Sequence, residues 1–399
     1  MAMRPQLGVG LDCGSHRTRC VVLLLEDDYV RFLGAGEAPG AGWTRGRLVD
    51  AEALTQSVQK AVENAERHAQ TLVDAVVVGV GGEAVHSCAA RGVYEMGPAR
   101  EIDSEDVMFS MRLASQATLD NDRCLLQVFP QEFLVDGRGG FRNPRRATGE
   151  RLEAIAHLIT ASRQEHDALV AAIQHAHLHL EETVFESFAA AYASVLEAER
   201  RRGVLVIDIG QHSTELVIFD GEAVVASASL RLGGEHFTRD LAAIFRVSPD
   251  DAEMLKREHG CARLGLTSDY TFIEIPSSEG RPSREARRLD LNEVLEARAE
   301  ELFRLVKHEV VRAGMEKRLM EGAVLCGGGA LLNGMEDMAE VILNCQARKA
   351  LPLGIDEWPD ELNRADWTTA AGLALYSAKL KTRIEFRRRA PGFMGLVFK

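Results

Sequence analysis

Apolar and polar positions along the chain follow two rhythms: short apolar runs or alternations that predict strands, and returns every three or four residues that predict helices. The strand rhythm appears twice in one arrangement. "LGVGLDCGSHRTRCVVLL" (7–24) and "VLVIDIGQHSTELVIF" (204–219) each read as an apolar strand, an Asp, an x-Gly, a polar turn and a second apolar strand. Asp12 and Asp208 stand about half of the 399-residue chain apart, so the second hairpin falls where a second copy of a domain would begin. Between the hairpins, residues 51–70 carry helical spacing (Leu54, Val58, Ala61, Val62, Ala65), and "AVVVGVGG" (75–82) is a buried-strand run. Residues 103–117, 164–175, 237–245 and 250–258 predict further helices, and 291–313 a long amphipathic one. "AVLCGGGALLNGM" (323–335) predicts a strand, a glycine turn and a helix start. Residues 277–288 read as a polar, basic loop, and "RRRAPGFMGLVFK" leaves the globular pattern. Strands alternating with helices predict an α/β protein with two similar halves.

Composition narrows the classes. The length allows two or more domains, and 46% apolar with 27% charged residues is ordinary for a water-soluble chain. A net charge of −13 argues against broad nucleic-acid binding, which needs a basic face. Seven widely spaced cysteines without a C-x-x-C predict free thiols in a reducing cytosol. The apolar run "VVLLL" is far shorter than the ~18–20 residues that span a bilayer.

The two hairpins suit one chemistry. An Asp at the end of each first strand, Asp12 and Asp208, can hold hydrated Mg²⁺, and the following turn supplies backbone N–H groups for phosphate oxygens. Two facing hairpins would clamp a triphosphate, and the turn Gly327-Gly328-Gly329 would leave a platform free of side chains for the nucleoside.

These motifs resemble the actin, hexokinase and DnaK-type chaperone superfamily of ATP-binding proteins. The first phosphate loop matches at Asp12, Gly14, Ser15 and His16, with Arg17 where many members have lysine. The second matches at Asp208, Gly210, Ser213 and Thr214, with Gln211 and His212 replacing two glycines. The resemblance implies connecting helices at "FESFAAAYASV" (185–195) and "TTAAGLALY" (368–376). It aligns Glu186 with a glutamate that holds the metal's water, and it places Gly233, Gly234, Glu253 and Lys256 around the adenosine. Glu186 reads equally as a helix-start acid. Arg17 either keeps a cation near the phosphates or projects to solvent. No residue stands out as a base for an attacking water, so ATP binding with slow or absent turnover is expected. Glycines in place of Gln211 and His212 are expected to leave hydrolysis no slower.

Within the superfamily, "LLQVFPQEFLVDGRGGFRNPRRATGERLEAIAHLIT" (125–160), "HGCA" and "EGRPSREARRLDLNEVLEARAEEL" resemble the FtsA family of bacterial division proteins. That resemblance implies an actin-like fold of two duplicated RNase-H-like α/β domains, with a nucleotide cleft between the halves. It divides the chain into a first core domain (1–82 and 161–198), an inserted subdomain (83–160), a second core domain (199–232 and 322–383), a further subdomain (233–321) and a C-terminal segment (384–399). It implies a protein that polymerises with itself, tethers the FtsZ ring to the cytoplasmic face of the cell membrane, and recruits later divisome proteins through the inserted subdomain. A type IV pilus scaffold of the same fold is the alternative, and a sugar or acetate kinase a more distant one.

Three further segments carry candidate chemistry. The 291–313 helix has an apolar stripe (Leu291, Val294, Leu295, Leu302, Leu305, Val306) interrupted by Arg298. This arginine either snorkels or edges a groove for the acidic FtsZ tail, which Arg281, Arg284, Arg287 and Arg288 would attract. At the C-terminus, Arg387, Arg388 and Arg389 would attract anionic lipid while Phe393, Met394, Leu396, Val397 and Phe398 insert. Pro391, Gly392 and Gly395 oppose a helix there, so weak membrane binding or a frayed tail is expected. "HAHLHLEE" would put His175, His177 and His179 on one strand face as metal ligands; solvent-facing histidines entering a strand are the favoured reading.

Overall fold

A computed structural model describes residues 5–26, 29–116, 119–221, 223–276 and 282–389, with side chains through 382. Its first half is built on a five-stranded sheet in the spatial order Tyr29–Pro39, Arg17–Glu26, Gln6–Cys13, Ala75–Val80, His179–Phe185. Its second half repeats that order with Ala223–Leu230, Thr214–Asp220, Val204–Ile209, Ala323–Cys326 and Ala347–Lys349. In both, the first three strands form an antiparallel meander and the last two add in parallel to the first. Even the hairpin registers agree: Asp12 lies opposite Arg19, and Asp208 opposite Glu215. The duplication inferred from the hairpins is therefore present throughout both sheets.

Burial explains the continuous apolar strands. Every residue of Val204–Ile209 is buried because both faces of the sheet are covered. On the first sheet, helix Ala51–Ala69 packs on one face and helix Thr368–Arg389 on the other. The second contact is unusually close. A Cβ at Gly10 would lie 2.3 Å from Ala374 N, and one at Gly8 2.6 Å from Ala374 O, so only glycine lets strand and helix backbones approach this far. Helices Gly234–Phe245, Arg288–Arg312 and Met335–Leu343 contribute to the core of the second half.

A separate antiparallel sheet, ordered His86–Glu101, Thr148–Ser162, Arg123–Val135, Arg138–Phe141, carries helix Ser104–Gln116 and its own apolar core. It lies against the edge strand Ala223–Leu230 of the second half. Ser87 Oγ donates to Ser227 O (2.6 Å), Gln131 Nε2 to Val225 O (2.9 Å), and His157 Nε2 meets Ser227 Oγ (2.8 Å). This polar seam shields one edge strand from other pairing partners. Among the described residues no helix is long and apolar enough to cross a membrane.

Three sequence expectations change. Residues 284–287 are a strand paired with Phe272–Ile275, not loop; the hairpin forms because Ile273, Ile275 and Ala286 turn toward the core while the arginines stay outside. Arg281 lies outside the described residues. The three histidines of "HAHLH" do not share a strand: His175 ends a helix, His177 takes a left-handed turn (φ 62°), and only His179 enters the strand. All three are exposed. Finally, the helix expected to give way to a linker at 384 continues to Arg389, since "KTRIEFRRR" holds no helix breaker. Arg387, Arg388 and Arg389 therefore belong to its last turns; Phe393, Met394, Leu396, Val397 and Phe398 lie outside the described residues.

Candidate functional site

The two matched hairpins bring their turns to the same end of their sheets. Glu186 opens helix Glu186–Ser194 directly after strand His179–Phe185, which aims it at that end. Asp12, Asp208, Glu186 and Glu215 thereby converge. Desolvation raises all four above the ordinary carboxyl range, Asp12 and Glu215 each to about 7; repulsion from neighbouring acids adds to it at Asp12, Glu186 and Glu215, while Thr369 and Arg19 oppose it at Asp208. The nearby cation is Arg19. Its Nη2 donates to Asp366 (2.8 Å), and its guanidinium lies 5.1 Å from the centre of the Trp367 ring. Asp208 accepts from Thr369 Oγ1 (2.6 Å), at the start of the helix that runs back along the first sheet.

Glycines shape the turns around these acids. A Cβ at Gly14 would lie 2.8 Å from Arg17 O. Gly327 takes φ +80°, and a Cβ there would lie 2.3 Å from Asp208 Oδ1. Gly328 faces open space, as a bare platform requires, whereas Gly329 is pressed against Ile209. Gly233 and Gly234 pack against the turn of the second hairpin. Gly234 N donates to Gly210 O (2.9 Å), Glu235 N to Gln211 O (2.8 Å), and a Cβ at Gly233 would lie 2.7 Å from both carbonyls.

The remaining candidates divide into engaged and available groups. Lys256 Nζ bonds Glu253 (2.6 Å), Thr238 (2.8 Å) and Gly234 O (3.0 Å). Burial opposes the charge on Glu253, but Lys256 and Thr238 outweigh it and hold the carboxyl low; burial likewise lowers Lys256. His212 is anchored through Nδ1 to Glu235, and Ser213 bonds Glu215. Partial desolvation, then Arg17 and Arg257, push His16 below its ordinary value. Ser15 sits under Gly40, where a Cβ would lie 2.5 Å from Ser15 O. Among the described residues the Arg17 guanidinium pairs with no carboxylate. Gln211 Oε1 is buried and unpartnered.

The basic residues of the second half are more committed than the sequence suggested. Arg298 forks onto Asp240 (2.6 and 3.0 Å) and also meets Glu301, so an internal carboxylate already satisfies it. Arg287 pairs with Asp290, and Arg288 donates to His259 O (2.7 Å). Arg284 donates to Phe245 O (3.1 Å) while lining a surface groove of about 470 Å³ with Ile244, Phe245, Asp290, Glu293 and Val294.

Sequence reading passed over Arg19, Glu215, Asp366, Thr369 and Arg257. Two of these carried a signal: Arg19 and Glu215 each follow their hairpin's Asp by the same spacing, which places them directly across the ladder.

Mg²⁺ and a nucleotide fit these residues. The cradle at Gly327 leaves Asp208 Oδ1 unobstructed, Gln211 offers an orphaned acceptor, and Arg17 offers an unspent cation. Among the described residues no three His, Cys, Asp or Glu side chains are arranged to hold a metal directly.

Comparison with known proteins agrees with this architecture. The family "Cell division protein FtsA" matches residues 205–372, and "SHS2 domain inserted in FTSA" matches 82–160. The cell division protein FtsA of Escherichia coli K12 is 30% identical over 400 residues, covering 98% of this chain and 95% of its own. Among solved structures, a PilM-PilN type IV pilus biogenesis complex superposes with a TM-score of 0.69 at 19% identity, over 93% of this chain and 98% of that one. MreB 5 of Spiroplasma citri bound to AMPPNP gives 0.57 at 15%, over 96% and 99%. Similarities this remote speak to fold alone. The fold is actin-like, and the chain belongs to the FtsA family of cell division proteins.

Proposed function

We propose that this cell-division protein binds Mg-ATP between its halves, assembles with itself, and links the FtsZ tail to the cytoplasmic face of the membrane. The observation that carries the nucleotide reading is the pair of hairpins in identical register, whose Asp12, Asp208 and Glu215 meet Glu186 as desolvated carboxyls at one cleft beside unspent hydrogen-bonding groups. A bound Mg-nucleotide would supply phosphates and a divalent charge. Asp12 and Asp208 would hold the hydrated metal, with Glu186 on its water. The turns 14–17 and 210–213 would hold phosphate, and Gly327, Gly328 and Gly329, with Gly233, Gly234, Glu253 and Lys256, would bound the nucleoside. AMPPNP in the MreB 5 structure supports a nucleotide in this fold. Turnover is slow in this reading, because the acids of the floor are crowded and no separate base faces them.

The groove beside Arg284 supports the FtsZ-tail reading through its apolar wall of Ile244, Phe245 and Val294 and not through its charge, since Asp290 and Glu293 also line it. Later divisome proteins would meet the 83–160 subdomain. The similarity to the PilM-PilN complex favours a second reading, a pilus-type scaffold. Co-sedimentation with FtsZ on anionic vesicles, with and without Mg-ATP, separates the two. ATP-responsive recruitment of FtsZ is expected; binding of a pilus-protein peptide in place of the FtsZ tail would reverse the assignment. Calorimetric titration should show ATP binding that Asp208→Asn weakens at least tenfold, by loss of a charged ligand.

A further inference from the structure

The turn that follows strand Ala75–Val80 is held by the opposite half. Gly82 N donates to Glu215 Oε1 (2.7 Å), and Ser229 Oγ donates to Gly82 O (2.8 Å). Ser229 Oγ also lies 3.4 Å from Glu215 Oε1, so both polar groups of one first-half residue are gripped by a pair from the second. Glu215 is itself tied to the second phosphate loop, through Ser213 and through its place opposite Asp208.

The same turn seats Glu186. A Cβ at Gly81 would lie 2.1 Å from Glu186 Oε2, and one at Gly79 2.9 Å from Glu186 Cγ, so the carboxylate rests directly on this backbone. Gly82 takes φ +86°, and a Cβ there would lie 3.5 Å from Gly46 O, in the turn between Trp43–Thr44 and Arg47–Leu48. A Cβ at Gly46 would in turn lie 3.1 Å from His212 Cβ on the second phosphate loop. Gly46, Gly82 and Gly81 thus form a run of near contacts between His212 on the second loop and Glu186.

We propose that Glu215 is a positioning residue: with Ser229 it clasps Gly82, and so fixes both the width of the cleft floor and the seat of Glu186. This rests on the nucleotide reading for its consequence, but the clasp itself exists without nucleotide. Removing the acceptor from this part-buried N–H leaves the donor unsatisfied. Glutamine at 215 keeps an acceptor oxygen in place while removing the charge.

The test measures amide hydrogen exchange at Gly82 in the nucleotide-free full chain, and ATP affinity by calorimetry. Glu215→Ala should speed Gly82 exchange and weaken ATP binding, each about tenfold. Glu215→Gln should return both to within about threefold of the parent, a rescue that mere packing damage would not show. Ser87→Ala, which removes a different bond between the halves, should leave Gly82 exchange unchanged. Should Glu215→Ala fail to fold, Ser229→Ala together with Glu215→Gln reads the same clasp from its carbonyl side, with faster exchange expected for the first alone. Unchanged Gly82 exchange in Glu215→Ala or Ser229→Ala, or no rescue by glutamine, overturns the proposal. A parent chain that takes up no ATP overturns the nucleotide reading instead, and the exchange measurements still decide the clasp.

Discussion

The carboxyls of the cleft floor are held apart from water and close to one another, and that fixes how the protein responds to pH. Asp12 and Glu215 titrate near 7 in the fold but near 3.8 and 4.5 in ordinary surroundings, with Glu186 and Asp208 raised as well. A group raised in the folded state contributes stability that is full below its unfolded value and is lost as pH climbs through the folded one. His157 acts at the other end: burial, then Arg312, lowers it from 6.5 to about 4, so its contribution is lost as pH falls through that window. The raised acids outnumber His157, so the thermal midpoint of the nucleotide-free protein should fall as pH climbs from about 4.5 to 7 and level off above about 7.5. Glu215→Gln should flatten that drop, and Mg-ATP should reverse it by neutralising the acids. A midpoint constant from pH 4.5 to 7 in the parent chain would contradict this account.

At the level of elements, the second phosphate hairpin is pinned from several sides. Its strand lies opposite Glu215, its tip carbonyls accept from Gly234 and Glu235, and His212 is bound to Glu235. Gln211, by contrast, buries an unpartnered oxygen. Replacing Gln211 and His212 together by glycine removes that unfavourable burial and leaves the backbone bonds, so phosphate release should be no slower than in the parent; a large loss would show both side chains at work in the reaction. Both hairpins, the glycine turns and the helix periods were legible in the sequence because they are local. Asp-x-Gly between apolar strands needs no distant partner to be recognised. The clasp was not legible, since Glu215 and Gly82 are 133 positions apart. Nor was the pairing of Arg298 with Asp240, 58 positions away, which turned an apparently available cation into an internal strut. The strand at 284–287 was hidden for a related reason: its arginines suggest loop, and only pairing with Phe272–Ile275 orders them.

At the level of the molecule, the long closing helix joins the cleft to the C-terminal segment. It starts at the cleft, where Thr369 holds Asp208. It is buried along residues 368–378 against strand Gln6–Cys13 and helix Glu186–Ser194, with a Cβ at Gly372 only 1.9 Å from Ala189 O. Its last turns bring Arg387, Arg388 and Arg389 to the apolar tail. In liposome flotation, the full chain should float with anionic vesicles and a chain ending at Arg387 should not; equal flotation would remove the tail from any anchoring role. The geometry of this helix also sets a mechanical ratio. Twenty-two residues of α-helix make a rod of about 33 Å with no slack along its axis. Its buried turns, 368–378, are gripped by the backbones of strand Gln6–Cys13 and helix Glu186–Ser194, so the rod turns with that half. A rotation of roughly ten degrees about a point near Thr369 carries the Arg389 end through about 5 Å, nearly one helical turn. A small rotation of the half that grips the helix would thus become a larger travel at the Arg389 end.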